Sequence, residues 1–349
     1  MIGDEVDTDP RIHMFAARGE RWKRLRSTAN PSFSVTNLKK VFPIVEDSMF
    51  ETMRLIEEAS DDGKRSFNVH RFYQEYTMDV IARIAMGQDG TRQMHSEYID
   101  FVKQPYLRKL FLRISKWIGF SFEDLFEKIA EHVEQRKRER AAGQVRTENV
   151  DFIDLFLDAE VPDVSLDKKD FALQSTHVRM AFYIMTMMMR NNRRQVSRQL
   201  STIEIVAQCF VFLLAGFDTT ANSLAYVTYE LSKRRDIQQK LQQEIEDVCG
   251  NGLHYDKTLW GPDAEEFRPE RWQQNEEGAR HPMAWIPFGA GPRICVGMRL
   301  ALIEEKLLLA NLLRRHYFVR TADSEPTLKL VGASTISPVA VTIGLEARD

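Results

Sequence analysis

Phe288-Gly289-Ala290-Gly291-Pro292-Arg293-Ile294-Cys295-Val296-Gly297 is a turn-rich loop that ends where a Leu-rich helical pattern, Val296 to Arg315, begins. It places one thiol at a helix N-terminus, where unpaired N–H groups and the positive end of the helix dipole stabilise a thiolate. The glycines let the backbone approach a flat ligand closely, and Arg293 adds a cation two residues before the thiol. Cys295 therefore reads as a metal ligand or a nucleophile, against the plainer reading of a buried cysteine beside a glycine turn. A nucleophile wants a base nearby, and no histidine lies within ten residues of Cys295 in the sequence. A lone thiolate without companion Cys or His suits a soft metal that brings its other ligands with it, as heme iron does.

Outward from this loop, helical periodicity dominates to about Arg315, and strand-like alternation is confined mostly to the tail. The pattern predicts a short helix over Arg18–Asn30, stopped by Pro31, and a longer one over Thr36–Ala59 with Pro43 near its start. Val69, Phe72, Tyr73, Tyr76, Val80 and Ile84 then mark a third, closed by Gly87. Two or three helices fit Glu97–Gly143, the last ending in the charge run Glu134–Arg140, which predicts a solvated face. Leu173–Arg190, with its five methionines, shows no amphipathic order and takes no role. Ile203–Arg235 is apolar nearly all round across Ile205–Phe217, which predicts a central buried helix. A polar helix over Asp236–Val248 and a loop-like stretch, Gly261–Pro287, follow. Leu328–Glu346 alternates as a terminal hairpin around Ser337-Pro338. Neither repeat nor linker divides residues 1–349, so the expectation is one mainly α domain with a small β part.

Composition narrows the function. With 349 residues and 43% hydrophobic content the chain can fill a sizeable core, which excludes a disordered chain or a small disulfide scaffold. Its 48 Lys plus Arg against 51 Asp plus Glu exert no whole-chain pull on nucleic acid or anionic lipid. Cys209, Cys249 and Cys295 cannot form a disulfide framework and suit a reducing compartment. The acidic start lacks the pattern of a secretion signal and no stretch is long enough to span a membrane, so the chain reads as soluble.

Two further stretches carry chemistry. In Ala215-Gly216-Phe217-Asp218-Thr219-Thr220, Gly216 and Thr219 are three apart on one helical face, and the glycine opens room there. Thr219 can then donate a hydrogen bond to a bound oxygen species and Asp218 can relay protons. The plainer alternative is a hydroxyl bonded back to the previous turn and an acid satisfied by a neighbour. In Gly19-Glu20-Arg21-Trp22-Lys23-Arg24-Leu25-Arg26, Trp22 and Arg26 sit four apart and share a face, while Lys23 and Arg24 point elsewhere, toward a docking surface for an acidic partner.

Phe288, Gly291, Arg293, Cys295 and Gly297 resemble the heme-binding signature of the cytochrome P-450 monooxygenases at every fixed position. The resemblance implies that Cys295 ligates heme iron, that Arg293 faces a heme propionate, and that Phe288 packs beside the thiolate, with Gly289 and Gly297 in the same cradle. Ala215–Thr220 is similar to the family's oxygen-activation motif, which implies Ala215 and Gly216 beside the heme and Thr219 and Asp218 as catalytic residues. Trp22 and Arg26 resemble the propionate donors. Phe267–Trp272 resembles the meander before the heme loop, in which Arg271 joins a Glu-x-x-Arg pair from an upstream helix. That helix is not where it belongs, which implies an internal deletion near 250–253. Glu51/Arg54, Glu265/Arg268 and Glu277/Arg280 repeat its spacing by coincidence. The better-matched blocks look most like the animal microsomal branch that includes steroid- and drug-hydroxylating enzymes. By resemblance the fold is a shortened P-450 fold, and the reaction inserts one oxygen atom from O2 into an apolar small molecule. Electrons then come from NADPH-cytochrome reductase, at the cytosolic face of the endoplasmic reticulum membrane, with the anchor absent from this chain. Phe212, Ala215 and Thr335–Ser337 are the expected substrate contacts. The rival expectation is a non-catalytic remnant with impaired heme binding.

Overall fold

A computed structural model describes residues 11–61, 63–95, 122–144, 151–158, 200–247, 263, 267, 269, 285–332 and 335–348. Helix α1 (Gly19–Ala29) runs into a 3-10 turn, Asn30–Phe33, as Pro31 enters. Ser34 caps α2 (Val35–Ser60) by accepting from the Asn37 N–H at 3.4 Å. Strand β1 (Phe67–Asn68) leads directly into α3 (Val69–Met86), which stops at Gly87, φ +71°, a left-handed geometry that only glycine takes without cost. Then follow α4 (Phe122–Ala141), α5 (Phe152–Leu157), the long α6 (Thr202–Ser232), α7 (Arg235–Asp247) and α8 (Met298–Arg315). The strands β2 (His316–Val319), β3 (Leu330–Val331), β4 (Ser337–Pro338) and β5 (Thr342–Ala347) close the chain.

Helix α6 is the axis. Ile205 to Leu213 are buried without interruption, so this part is enclosed on all sides by α3, α4 and α5. Its start is fixed by a reciprocal cap: Ser201 Oγ accepts from the Glu204 N–H at 3.3 Å and Glu204 accepts from the Ser201 N–H at 3.0 Å. The same carboxylate receives the Arg24 guanidinium from α1, which ties the two helices together. Between α3 and α6, Tyr73 and Thr228 share a hydrogen bond of 2.7 Å, and Thr77 donates to the Phe217 carbonyl at 2.6 Å.

The helices come close enough that a Cβ on Gly216 would stand 3.0–3.4 Å from the Ile81 side chain. The room expected at this glycine is therefore filled by α3, and Gly216 serves helix packing. Gly216→Val should lower stability by about 1–3 kcal/mol, the usual cost of overpacking, and Ile81→Ala should recover part of it; urea denaturation midpoints of the three chains check this.

The predicted terminal hairpin needs correction. Ser337-Pro338 is not its turn but strand β4, paired with β3 as Leu330↔Pro338 and Val331↔Ser337. Strand β5 leaves this pair and joins β1 (Phe67↔Ile343) and β2 (Phe318↔Leu345) in a three-stranded antiparallel sheet, order β1-β5-β2. Alternation in the tail was real, but its partners lie far away in sequence, in runs of two and four residues too short to show a period. Pro338 can sit in β4 because a two-stranded sheet leaves it an edge.

The charge run on α4 is not wholly solvated. Arg136 is buried and pairs with Asp151 at 2.9 Å and with Asp154, both from the α5 segment, while Arg140 reaches Asp154 at 3.1 Å. Asp151 also caps α5 by accepting from the Asp154 N–H at 2.9 Å. Burial first, then the charge of Asp154, pushes the Asp151 carboxyl up to about 6, against the pull of Arg136. An acid whose pKa rises on folding holds its proton more tightly in the folded chain. Its contribution to stability therefore falls as pH climbs from the ordinary 3.8 to about 6, and is constant above. Asp151→Asn, which keeps the capping oxygen, should flatten this decline in a series of urea midpoints across that window.

Candidate functional site

The loop before α8 builds the site around Cys295. A 3-10 turn, Gly291–Arg293, reverses the chain, and the Cys295 N–H donates to the Phe288 carbonyl at 2.9 Å. Gly289 (φ +76°) and Gly291 (φ +74°) take left-handed conformations, with no atom of the described residues within 4 Å of where a Cβ would stand. The cradle is thus open on that side. Phe288 is half-buried, and Cys295 is a free, exposed thiol. It is nonetheless crowded enough that desolvation lifts its pKa, opposed by the Gly297 and Met298 N–H groups and by the Arg26 guanidinium. The N–H groups at the helix start and the Arg26 guanidinium thus work against burial at this thiol. Among the described residues no cluster of three or more Cys, His, Asp or Glu side chains could hold a metal ion, so Cys295 would act as a single protein ligand.

Arg26 is the most informative neighbour. It is only 9% exposed, yet among the described residues it makes no hydrogen bond and no ion pair. Its largest electrostatic influences are burial, which disfavours its charge, and Cys295, which favours it. A guanidinium held at the edge of solvent beside Cys295, with no ion pair among the described residues, is a ready donor for an anion brought by a ligand. Trp22, one turn earlier, is also nearly buried, and its indole N–H has no hydrogen-bond acceptor among the described residues. Arg293 donates to the Ala17 carbonyl at 2.7 Å and the Phe15 carbonyl at 3.4 Å, and stacks over Trp22 at 4.7 Å, on the same side as the expected propionate donors. Its fork locks the loop onto the start of α1.

On α6 the enclosure breaks at Leu214, Ala215 and Thr219, all exposed. Thr219 donates to the Ala215 carbonyl at 2.7 Å, and Asp218 accepts from Gln74, Asn222, Thr335 and Ser337. These are the hydrogen bonds of the plainer alternative. Phe212 is buried among Phe33, Phe152 and Phe156, so it cannot touch a substrate. Phe33, unremarked in the sequence, also lies 3.7 Å from where a Cβ on Gly297 would stand, which joins the cysteine loop to the central helix. Arg24, bonded to Glu204, is withdrawn from any docking surface, and Lys23 pairs with Glu20 at 2.7 Å. Glu51 and Arg54 form an exposed ion pair along α2, which agrees with reading their spacing as coincidence. Arg271 and the meander apart from Phe267 and Pro269, Leu173–Arg190, Cys249 and the 250–253 junction lie outside the described residues.

The cytochrome P-450 family model matches residues 4–252 and 248–339. Cytochrome P-450 CYP13A3 of Caenorhabditis elegans is 34% identical over 425 aligned residues, covering 99% of this chain and 79% of that protein. CYP13A1 of the same organism is 35% identical over 433, covering 100% and 80%, and cyp-13B1 is 33% identical over 424, covering 98% and 78%. The chain belongs to the cytochrome P-450 family. Members of that family are heme monooxygenases that take O2, a small-molecule substrate and a redox partner, and the mainly helical fold with its small sheet agrees. Because these alignments are longer than the 349-residue chain, the relatives carry stretches that it lacks.

The residues present fit a heme. Cys295 offers a soft, solvent-open thiol, Gly289 and Gly291 leave the cradle open, and Arg26 and Trp22 hold donors that lack acceptors, as carboxylate-bearing propionates require.

Proposed function

We infer that the chain is a heme-thiolate monooxygenase that inserts one oxygen atom from O2 into an apolar small molecule of the steroid, lipid or xenobiotic kind. NADPH-cytochrome reductase supplies its electrons at the cytosolic face of the endoplasmic reticulum membrane. The observation that carries the reading is the largely buried Arg26, whose guanidinium makes no ion pair among the described residues, beside the free Cys295 thiol. When bound, heme supplies the redox centre that activates dioxygen. Cys295 would hold the iron through its sulfur, Trp22, Arg26 and Arg293 would bind the propionates, and Arg293 also fastens the loop to the start of α1. Thr219 keeps a proton at Oγ1, now directed at the Ala215 carbonyl, and can turn it toward the open side. Asp218 passes protons on from the hydroxyls that surround it. Leu214 and Ala215 offer the substrate an exposed apolar edge.

The chain is read as one heme domain over 1–349 with an internal deletion near 250–253, supported by family matches that meet at 248–252. That junction also favours a second reading, a non-catalytic remnant. By resemblance the missing Glu-x-x-Arg helix would supply the partners of Arg271, and breaking such a buried ionic network costs about 3–5 kcal/mol. Hemin uptake by the expressed chain, followed by reduction and carbon monoxide, decides between them. A strongly red-shifted Soret band supports the enzyme, and a chain that stays colourless is the remnant.

A further inference from the structure

Helix α8 turns one stripe toward the core: Leu300, Glu304, Leu308 and Leu312, each four residues from the next. An acid thus holds a core position among leucines, and at 4% exposure it is as buried as Leu300 at 5%. Its Oε2 is sealed from water and has no hydrogen-bond partner among the described residues. Tyr76 of α3, itself fully buried, donates its hydroxyl to the Glu304 backbone carbonyl at 3.4 Å and not to the side chain. A core stripe broken in this way, where leucine would be the ordinary solution, marks a position kept for something other than stability.

A carboxylate buried without a cation or a donor takes up a proton instead. Burial first, then the charge of Glu305, holds the Glu304 carboxyl well above the ordinary carboxylate range. The titratable groups that face it give no relief. From α3 comes Tyr76, whose hydroxyl burial and Glu304 push up. From α8 itself comes Glu305, a second acid raised by burial, which bonds Ser223 of α6 and is pulled the other way by the exposed Lys306. Helices α2, α6 and α7 and strand β2 also pack on α8, and among their described residues none forms an ion pair with Glu304. Helix α8 starts at Met298, directly after Cys295-Val296-Gly297, so whatever seats the helix also seats the thiol loop.

We propose that Glu304 is a proton-held latch: α8 stays seated against α3 and α6 while this carboxyl is neutral, and loosens, carrying the Cys295 loop with it, as the carboxyl ionises. Below the ordinary 4.5 the group is protonated whether the helix is seated or released. Above it the released helix gives up the proton first, so release grows about tenfold per pH unit until the seated carboxyl ionises too. The latch belongs to the polypeptide alone and goes beyond the monooxygenase reading.

The test is hydrogen exchange in the full chain without hemin, wild type beside Glu304→Gln, Glu304→Leu and Tyr76→Phe, compared at equal pH so that the intrinsic rate cancels. Between about pH 5 and about pH 8 the Leu308 and Leu312 amides of the wild type should quicken on the order of tenfold or more beyond that intrinsic rate, with the Ile205–Leu213 amides of α6 unchanged. Glu304→Gln, which keeps the shape of the neutral acid, and Glu304→Leu, which completes the stripe, should both abolish the extra rise, and Tyr76→Phe should keep it. An equal rise in Glu304→Gln, its loss in Tyr76→Phe, or a rise shared by the α6 amides would overturn the proposal. Because no reading involves hemin, failure here leaves the monooxygenase reading standing, and a chain that stays colourless leaves the latch standing.

Discussion

Cys295→Ala abolishes the red-shifted Soret band of the reduced, carbon monoxide-treated chain, while hemin uptake falls but need not vanish. The two readouts separate because different residues serve them. The band depends on sulfur coordination, for which the described residues offer one exposed thiol; Cys209 is buried in α6, and desolvation pushes its thiol well up, away from ligand chemistry. Uptake also draws on Trp22, Arg26 and the apolar edge of α6, which the variant leaves intact. A red-shifted band of normal intensity in Cys295→Ala overturns the assignment.

Arg26→Leu should separate two measurements. In the chain without hemin the Arg26 side chain is largely removed from water and makes no ion pair among the described residues, so replacing it with an apolar side chain should leave stability unchanged or raise it by up to about 1 kcal/mol. Hemin affinity should fall roughly tenfold to a hundredfold, the worth of one or two charge-assisted hydrogen bonds. Thermal denaturation of the unloaded chain and a hemin titration check both halves. An arginine with a purely structural role gives the reverse of the first result. If the unloaded variant melts lower than wild type and binds hemin equally well, Arg26 is not an anion donor.

Much of this was legible in the order of residues. The boundaries of α1, α3 and α8 follow from local punctuation, Pro31, Gly87 and the glycines before Met298, while the Ser34 and Ser201–Glu204 caps that start α2 and α6 went unread. The cysteine loop was equally plain, since its turn glycines and thiol are contiguous. What escaped was set by distance along the chain. The pairing of β5 with Phe67-Asn68, the burial of Arg136 by Asp151 and Asp154, and the capture of Thr335 and Ser337 by Asp218 are contacts between segments that carry no mark of one another. Helix α5 escaped for another reason: six residues are too few to show a period, and its existence depends on the Asp151 cap and on Phe152 and Phe156 finding Phe33 and Phe212. Gly216 shows that even a correctly noticed glycine does not say which neighbour needs its missing side chain.

Glu204 ends the first turn of α6 and holds Arg24 with the same carboxylate. Docking of α1 and fastening of α6 are consequently coupled. A protease that nicks the chain before Trp22, or a partner that peels α1 away, would unravel α6 from its beginning and reach the Ile205–Leu213 interior from a surface that looks peripheral.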